Sequence, residues 1–370
     1  MSSSSKTNGV SNGKNSKRPR ASENGGSTND NVGEADESPV KIIHQAPSEK
    51  EEPIGLHSRT LLKDILYPLS PKEFMTKYFQ QQAVHIQGST TRQDAKHNKG
   101  KEKLKEPSII SNRYQPIIEE GMFKLDTKQL IQETSSDSVF VWLPMKDEHP
   151  KTTNKNKTKN NNPLVQSVEI PEAETAWALH QAGGHSLYCR APPAVEQVLV
   201  AKLLKDTGLG CGQYDPSGES MTSLARGEVE MFITAKAGGI TDWHYDFQEN
   251  FTLQLSGVKR WTLQQGTVSD PLRACTPHYR APDVVESQLK AAHLSTPEFV
   301  FDQPVTKEEN PNDFNAKGPQ QAVTLHPGDA FYFPAGMWHK IEVLEPGVSI
   351  NVSLMATNYA NVTCQALQHY

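Results

Sequence analysis

Gly239-Ile240-Thr241-Asp242-Trp243-His244-Tyr245-Asp246, followed by Asn250-Phe251-Thr252-Leu253-Gln254-Leu255-Ser256-Gly257-Val258-Lys259-Arg260-Trp261, is the stretch from which the fold is read. In a β-strand, residues i and i+2 point to the same face. A strand over 241–246 therefore sets the His244 imidazole beside the Asp246 carboxylate. The apolar-rich run 250–255 reads as a second strand, Gly257 as a turn, and 259–263 as a third. A His-x-Asp pair alone is a weak signal, because any two residues at that spacing share a face. A second imidazole on a nearby strand strengthens it, and Phe333-Pro334-Ala335-Gly336-Met337-Trp338-His339 offers one.

Outward from this stretch, alternation predicts strands at 228–236, 241–246, 250–255, 259–263, 322–325, 330–333, 339–343 and 349–355. Eight short strands separated by Gly and Pro turns indicate a jelly roll or barrel. His326-Pro327-Gly328-Asp329 reads as a turn between two of them. Upstream, Ser70-Pro71-Lys72-Glu73 reads as a capping box that starts a helix, with Phe74, Met75, Tyr78 and Phe79 along one face. Further helices are expected at 125–132, 172–182 and 194–207, and further strands at 83–86, 138–143 and 186–190. His85, inside the first of these strands, reads as a structural residue. A last helix is expected to begin after Ala360.

The chain divides at 57, 221 and 358: a tail, a mixed helix and strand part (57–220), the β-core (221–357) and the start of a C-terminal helix (358–370). Residues 1–56 are rich in Ser, Asn, Gly, Lys and Glu, and are expected to be disordered because they offer little apolar surface to bury. Lys14, Lys17, Arg18 and Arg20 form a basic cluster that fits either a nuclear-import signal or a plain charged tail. Polar, Lys-rich insertions are expected at 89–107 and 151–163. The net charge of −5 gives no global attraction to nucleic acid or an anionic membrane. No run of about 18 apolar residues suggests a membrane span. Cys189, Cys211, Cys275 and Cys364 show no C-x-x-C pairing and read as free thiols of a reducing, intracellular compartment.

His244, Asp246 and His339 together make a 2-His-1-carboxylate set, which suits Fe(II) and leaves three adjacent coordination positions. An oxo acid can chelate through two and dioxygen can take the third. A dicarboxylate such as 2-oxoglutarate then needs a cation and a hydroxyl at its far end. Lys259 offers the cation if Gly257 resets the strand alternation, and Thr241 the hydroxyl; a rim lysine and a turn threonine are the plain readings of the same residues. Trp243, Tyr245, Trp261 and Trp338 read as pocket wall. The same ligands can bind zinc, and a zinc hydrolase would use Glu249 as its base. Such a reading leaves Lys259 without a role.

The words Thr-x-x-His-x-Asp, Asn-Phe-x-x-Gln-x-x-Gly-x-Lys-Arg-Trp and Pro-Gly-Asp-x-x-Tyr-x-Pro-x-x-x-x-His resemble the JmjC (cupin-like) 2-oxoglutarate oxygenases over about residues 58–360. The resemblance implies a mainly β fold, a double-stranded β-helix with flanking N-terminal helices. It implies Fe(II), 2-oxoglutarate and dioxygen as cofactors, with His244, Asp246 and His339 on the metal. It implies Thr241 and Lys259 on the far carboxylate, and Asn250, Tyr188 and Asn351 or Ser353 lining the cosubstrate pocket. Phe251 to Trp261 is similar to the ribosomal oxygenase branch, which hydroxylates protein side chains; the partner implied is a protein, of ribosomal or chromatin type. That branch carries a dimerisation region and a winged-helix domain beyond the β-helix, and residues 1–370 show no counterpart. A lysine demethylase would use the same iron centre, and a catalytically silent cupin would be a binding module.

Overall fold

The computed structural model describes residues 38–44, 53–88, 112–144, 165–209, 226–266, 271, 274, 317–355, 363 and 367. The insertions expected at 89–107 and 151–163 and the basic cluster at 14–20 lie outside the described residues. Of the helix expected after Ala360 only Thr363 and Leu367 are described, and both are helical.

All eight expected core strands form: β6 (Arg226–Thr234), β7 (Ile240–His244), β8 (Glu249–Gln254), β9 (Val258–Gln265), β10 (Lys317–Leu325), β11 (Ala330–Phe333), β12 (Trp338–Glu345) and β13 (Gly347–Met355). They alternate between two sheets, except that the consecutive β9 and β10 pair within one. One has the order β10-β9-β12-β7, and β11-β8-β13-β6 lie adjacent in the other. This is the strand plan of a double-stranded β-helix. The larger sheet is extended on one side by β1 (Val40–His44) and β2 (Ala83–Gln87), and on the other by β5 (Ser186–Arg190), β3 (Val139–Pro144) and β4 (Val165–Ile170).

Six helices flank the larger sheet in sequence: α1 (Leu61–Leu66), α2 (Pro71–Lys77), α3 (Gln115–Glu120), α4 (Thr127–Gln132), α5 (Ala173–Gly183) and α6 (Pro193–Thr207). Ser70 caps α2, accepting a hydrogen bond from the Glu73 amide at 3.1 Å. Glu73 itself pairs with Lys77 one turn on, rather than closing a reciprocal box. Along β6, Val229, Met231 and Ile233 join the core with Val195, Leu199 and Leu203 of α6. Glu228, Glu230 and Phe232 alternate to the opposite face, the one turned toward the smaller sheet.

β8 is buried at every position, because both of its faces are covered. On the outer face Phe251 meets Phe74 of α2 at 6.0 Å between ring centres, and Tyr332 meets Phe74 edge-on at 4.8 Å. Phe74→Ala should therefore cost about 3–5 kcal/mol of stability, the range for emptying a buried aromatic site. An unfolding free energy from denaturant titration that changes by less than about 1 kcal/mol would show that this helix is not part of the cooperative core.

One expectation fails in part. Within the tail read as disordered through residue 56, Val40–His44 form β1, parallel to β2, and Ile54 is fully buried. Composition averaged over the tail hides a five-residue alternating segment. Val40 packs with Ala83, Trp261 and Phe331, and its amide donates to Gln321 Oε1 at 2.8 Å.

Candidate metal centre

β7 and β12 pair antiparallel with His244 directly opposite His339. Their ring centres lie 4.1 Å apart. The chain leaves β7 just before Asp246, whose carbonyl accepts from the Gly336 amide at 2.8 Å. That bond ties the loop carrying Asp246 to the turn before β12. The ligand atoms of His244, Asp246 and His339 all lie within 4.8 Å of one another, and among the described residues they form the group able to hold a metal ion. His339 Nδ1 donates to the Met337 carbonyl at 3.0 Å, so the Nε2 lone pair faces Asp246 Oδ2, 3.6 Å away.

The electrostatics suit a dication. Burial, with His244 close by, holds His339 well below the usual imidazole range, so it stays neutral. Burial, then Glu228, pushes Asp246 up to about 7. A neutral His339 and a carboxylate that burial disfavours as an anion suit one divalent cation. The donor types fit iron and fit zinc equally.

Deeper in the β-helix lies a cavity of about 340 Å³. Pairing between β9 and β12 sets its layers. His339 faces Leu263, Ile341 faces Trp261, and Val343 faces Lys259. At ~3.3 Å per residue, the Lys259 backbone is two same-face layers, roughly 13 Å, below the His339 layer. Gly257, at φ +72° in the β8–β9 turn, makes the reset that brings Lys259 inward. A Cβ there would meet the Pro346 carbonyl at 2.4 Å. The Lys259 ammonium donates to Ser349 Oγ at 2.6 Å and sits 5.1 Å from the Phe232 ring centre. Its burial lowers its pKa to about 7. Thr241, opposite Ile341, lines the same cavity, as do Thr252 and Asn351.

A sequence profile described as a cupin-like domain matches residues 74–355 of this chain. The chain belongs to the cupin-like domain family. It is similar to the uncharacterized protein YxbC of Bacillus subtilis strain 168, at 27% identity over 158 residues, 41% of this chain and 39% of that protein. The match thus spans well under half of that relative. Among solved structures it is similar to the Escherichia coli ribosomal oxygenase YcfD, at 14% identity and a TM-score of 0.40, covering 80% of this chain and 54% of that one. The complex of YcfD with cobalt and 2-oxoglutarate gives 15% identity and a TM-score of 0.41, over 82% of this chain and 56% of that one.

Within this cupin-like β-helix the expected cosubstrate residues fall into two sets. Thr241, Lys259 and Asn351 line the cavity. Asn250, Ser353 and Tyr188 are not among its described walls; Ser353 and Tyr188 are joined through Glu230, and Asn250 Oδ1 accepts from Asn351 Nδ2 at 2.8 Å and Ser353 Oγ at 2.9 Å. Glu230 accepts from Tyr188 Oη at 2.8 Å, Asn351 Nδ2 at 2.9 Å and Ser353 Oγ at 2.7 Å. Asn351 Oδ1 in turn accepts from Thr252 Oγ1 at 3.1 Å. The network fixes the Asn351 amide from both ends. Glu230, Glu228, Thr252, Ser349 and Phe232 were not anticipated. Their signal was present as polar residues at every second position of otherwise apolar strands: Glu228 and Glu230, Asn250 and Thr252, Ser349, Asn351 and Ser353.

Alternation also corrects the aromatic wall. Of the four residues expected there, Trp261 lines the cavity and lies near-parallel to His339, 5.5 Å between centres. Trp243, one residue from His244, lies on the opposite face under the Lys340 ammonium. Tyr245 packs edge-on against Trp338. Glu249 is likewise on the wrong face for a base at the metal: it is buried with Phe251 on the outer side of β8 and accepts from Tyr332 Oη. The zinc-hydrolase reading loses the base that the sequence offered it. His85 is structural as expected, buried with its Nε2 2.9 Å from Asp329 Oδ2, and Asp329 also accepts from the amides of Gly88 and His326.

Proposed function

We propose that the protein is an Fe(II)- and 2-oxoglutarate-dependent dioxygenase that hydroxylates a side chain of a protein substrate. The observation that carries this reading is the pairing of two sites on the adjacent strands β7, β12 and β9. The His244, Asp246 and His339 donors converge at one level of the β-helix, and the buried Lys259 ammonium stands two layers below, in a cavity with Thr241. A hydrolase has no use for a buried cation at that depth, whereas a chelating oxo acid with a second carboxylate does.

His244, Asp246 and His339 would hold the iron, which when bound supplies the activation of dioxygen that oxidative decarboxylation of the oxo acid requires. Lys259 would bind the far carboxylate as a charge-assisted hydrogen-bond donor, with the Thr241 hydroxyl beside it. Asn351, its amide held by Glu230, Asn250 and Thr252, would form the polar wall beside the acid. Trp261 and Ile341 between the two levels would exclude water from the reacting centre. The protein substrate is what the resemblance of Phe251 to Trp261 implies.

The test is succinate formation from 2-oxoglutarate by purified protein with Fe(II) and ascorbate, alongside calorimetric titration of both ligands. Iron-dependent turnover is expected in the wild type and none in His244→Ala. Equal turnover in the variant, or a wild type that binds neither metal nor 2-oxoglutarate, would overturn the assignment.

A further inference from the structure

The cavity does not end at Lys259. Its walls run from the buried Lys259, Trp261 and Ser349 to Lys236, Ala237 and Gly238, which are exposed. It therefore reaches the surface behind the lysine, on the side away from the metal ligands. The rim is formed by two turns, Gly183 to Ser186 after α5 and Lys236 to Gly239 before β7. Lys236 donates to the Gly183 carbonyl at 2.7 Å and bridges them. At about 340 Å³ the space is at the lower end of the ~300–1,000 Å³ of drug-sized ligand sites. A five-carbon diacid stretched between the metal level and Lys259 leaves its outer arm open.

The charge along this arm has one sign. Lys236 stands at the rim and Lys259 inside, and no Asp or Glu is among the described residues lining the cavity. A small dianion approaching past Lys236 is attracted. Fields of this kind change association rates by ~10–10³-fold.

We propose that this arm, with Lys236 at its mouth, is the passage through which the dicarboxylate cosubstrate enters and its dicarboxylate product leaves, separate from the face that receives the protein substrate. The proposal rests on the 2-oxoglutarate reading of the cavity. Its consequence is that succinate can depart while a protein substrate still covers the metal face.

Gly239 supplies the decisive variant. A Cβ on Gly239 would sit 3.6 Å from Val343 Cγ2 and 3.8 Å from Ser186 Oγ, both cavity walls, at ordinary contact distance. A phenyl group there would enter the passage. The backbone bond that holds the turn, Val343 amide to Gly239 carbonyl at 2.8 Å, is indifferent to the side chain.

The experiment is stopped-flow tryptophan fluorescence of Mn(II)-loaded protein mixed with 2-oxoglutarate. Trp142 and Trp261 line the cavity and report its filling. Gly239→Phe should slow association and dissociation together by about tenfold or more, well beyond the spread of a local packing change, with Kd altered much less. Lys236→Glu, a surface change, should slow association by about tenfold at low ionic strength, and the gap should close as salt rises. Unchanged rate constants in Gly239→Phe, or a weaker Kd with the association rate unchanged, would overturn the passage while leaving the cosubstrate reading intact. A wild type that loads Mn(II) but binds no 2-oxoglutarate would overturn both.

Discussion

Asp246→Ala is expected to abolish turnover and to weaken divalent-metal binding by more than the ~10–100-fold that follows loss of even an outer partner of a ligand. The carboxylate is the single anion among the three donors. Its loss leaves two imidazoles, His339 held neutral by burial and by His244, and no anion to balance the metal charge. The fold should survive. In the metal-free protein burial and Glu228 push the Asp246 carboxyl up to about 7, so the ionised form is disfavoured there. A group raised in this way contributes stability that is complete below its unfolded value and is lost as pH rises through about 7. Metal-free wild type should therefore melt lower at pH 8 than at pH 5 through this group, and Asp246→Ala should lack that part of the slope. Titration calorimetry with Mn(II) and melting curves in chelator measure both effects. Metal affinity equal to wild type would remove Asp246 from the centre.

The β-core was legible because its strands announce themselves locally. The segments at 250–255 and 349–355 alternate with a period of two, 330–333 is a short apolar run between Gly328 and Pro334, and all three became strands within a residue or two of those limits. His244 and Asp246 were legible for the same reason, since one strand carries both. What local pattern hides is which face a residue takes when a strand is covered on both sides. β8 is buried at every position, its polar side included, and so Glu249 looked available to the metal although it serves Tyr332. Trp243 looked like wall because it adjoins His244, yet adjacency along a strand means opposite faces. The role of Glu230 was hidden for a further reason. It acts through Asn351, 121 positions away, and through Ser353 and Tyr188, and no pattern within one strand records such a meeting. β1 was lost because five alternating residues inside a long polar tail contribute little to its average composition.

Lys259→Met should weaken 2-oxoglutarate binding by about 2–5 kcal/mol, the cost of leaving a buried carboxylate without its charged partner, or roughly 30-fold to several thousand-fold. Methionine keeps the stem against Phe232 and Ser349, so packing changes little. The pH dependence separates a carboxylate-binding lysine from a structural one. In the empty cavity burial lowers the Lys259 pKa to about 7, while both carboxyls of the diacid stay ionised above about pH 5. Binding the far carboxylate needs the ammonium, so above pH 7 the complex takes up a proton. Wild-type affinity should be flat below about 7 and fall by up to tenfold for each further pH unit; the weaker affinity of Lys259→Met should not vary over that range. Folding stability should move the other way. A lysine with a depressed pKa contributes stability that is present above its unfolded value and lost as pH falls through about 7. Without ligand, Lys259→Met should therefore melt higher than wild type at pH 6. Calorimetric titrations from pH 6 to 9, with melting curves at the two ends, read out both. A 2-oxoglutarate affinity that is equal in the two proteins at pH 6 would place the far carboxylate elsewhere in the cavity.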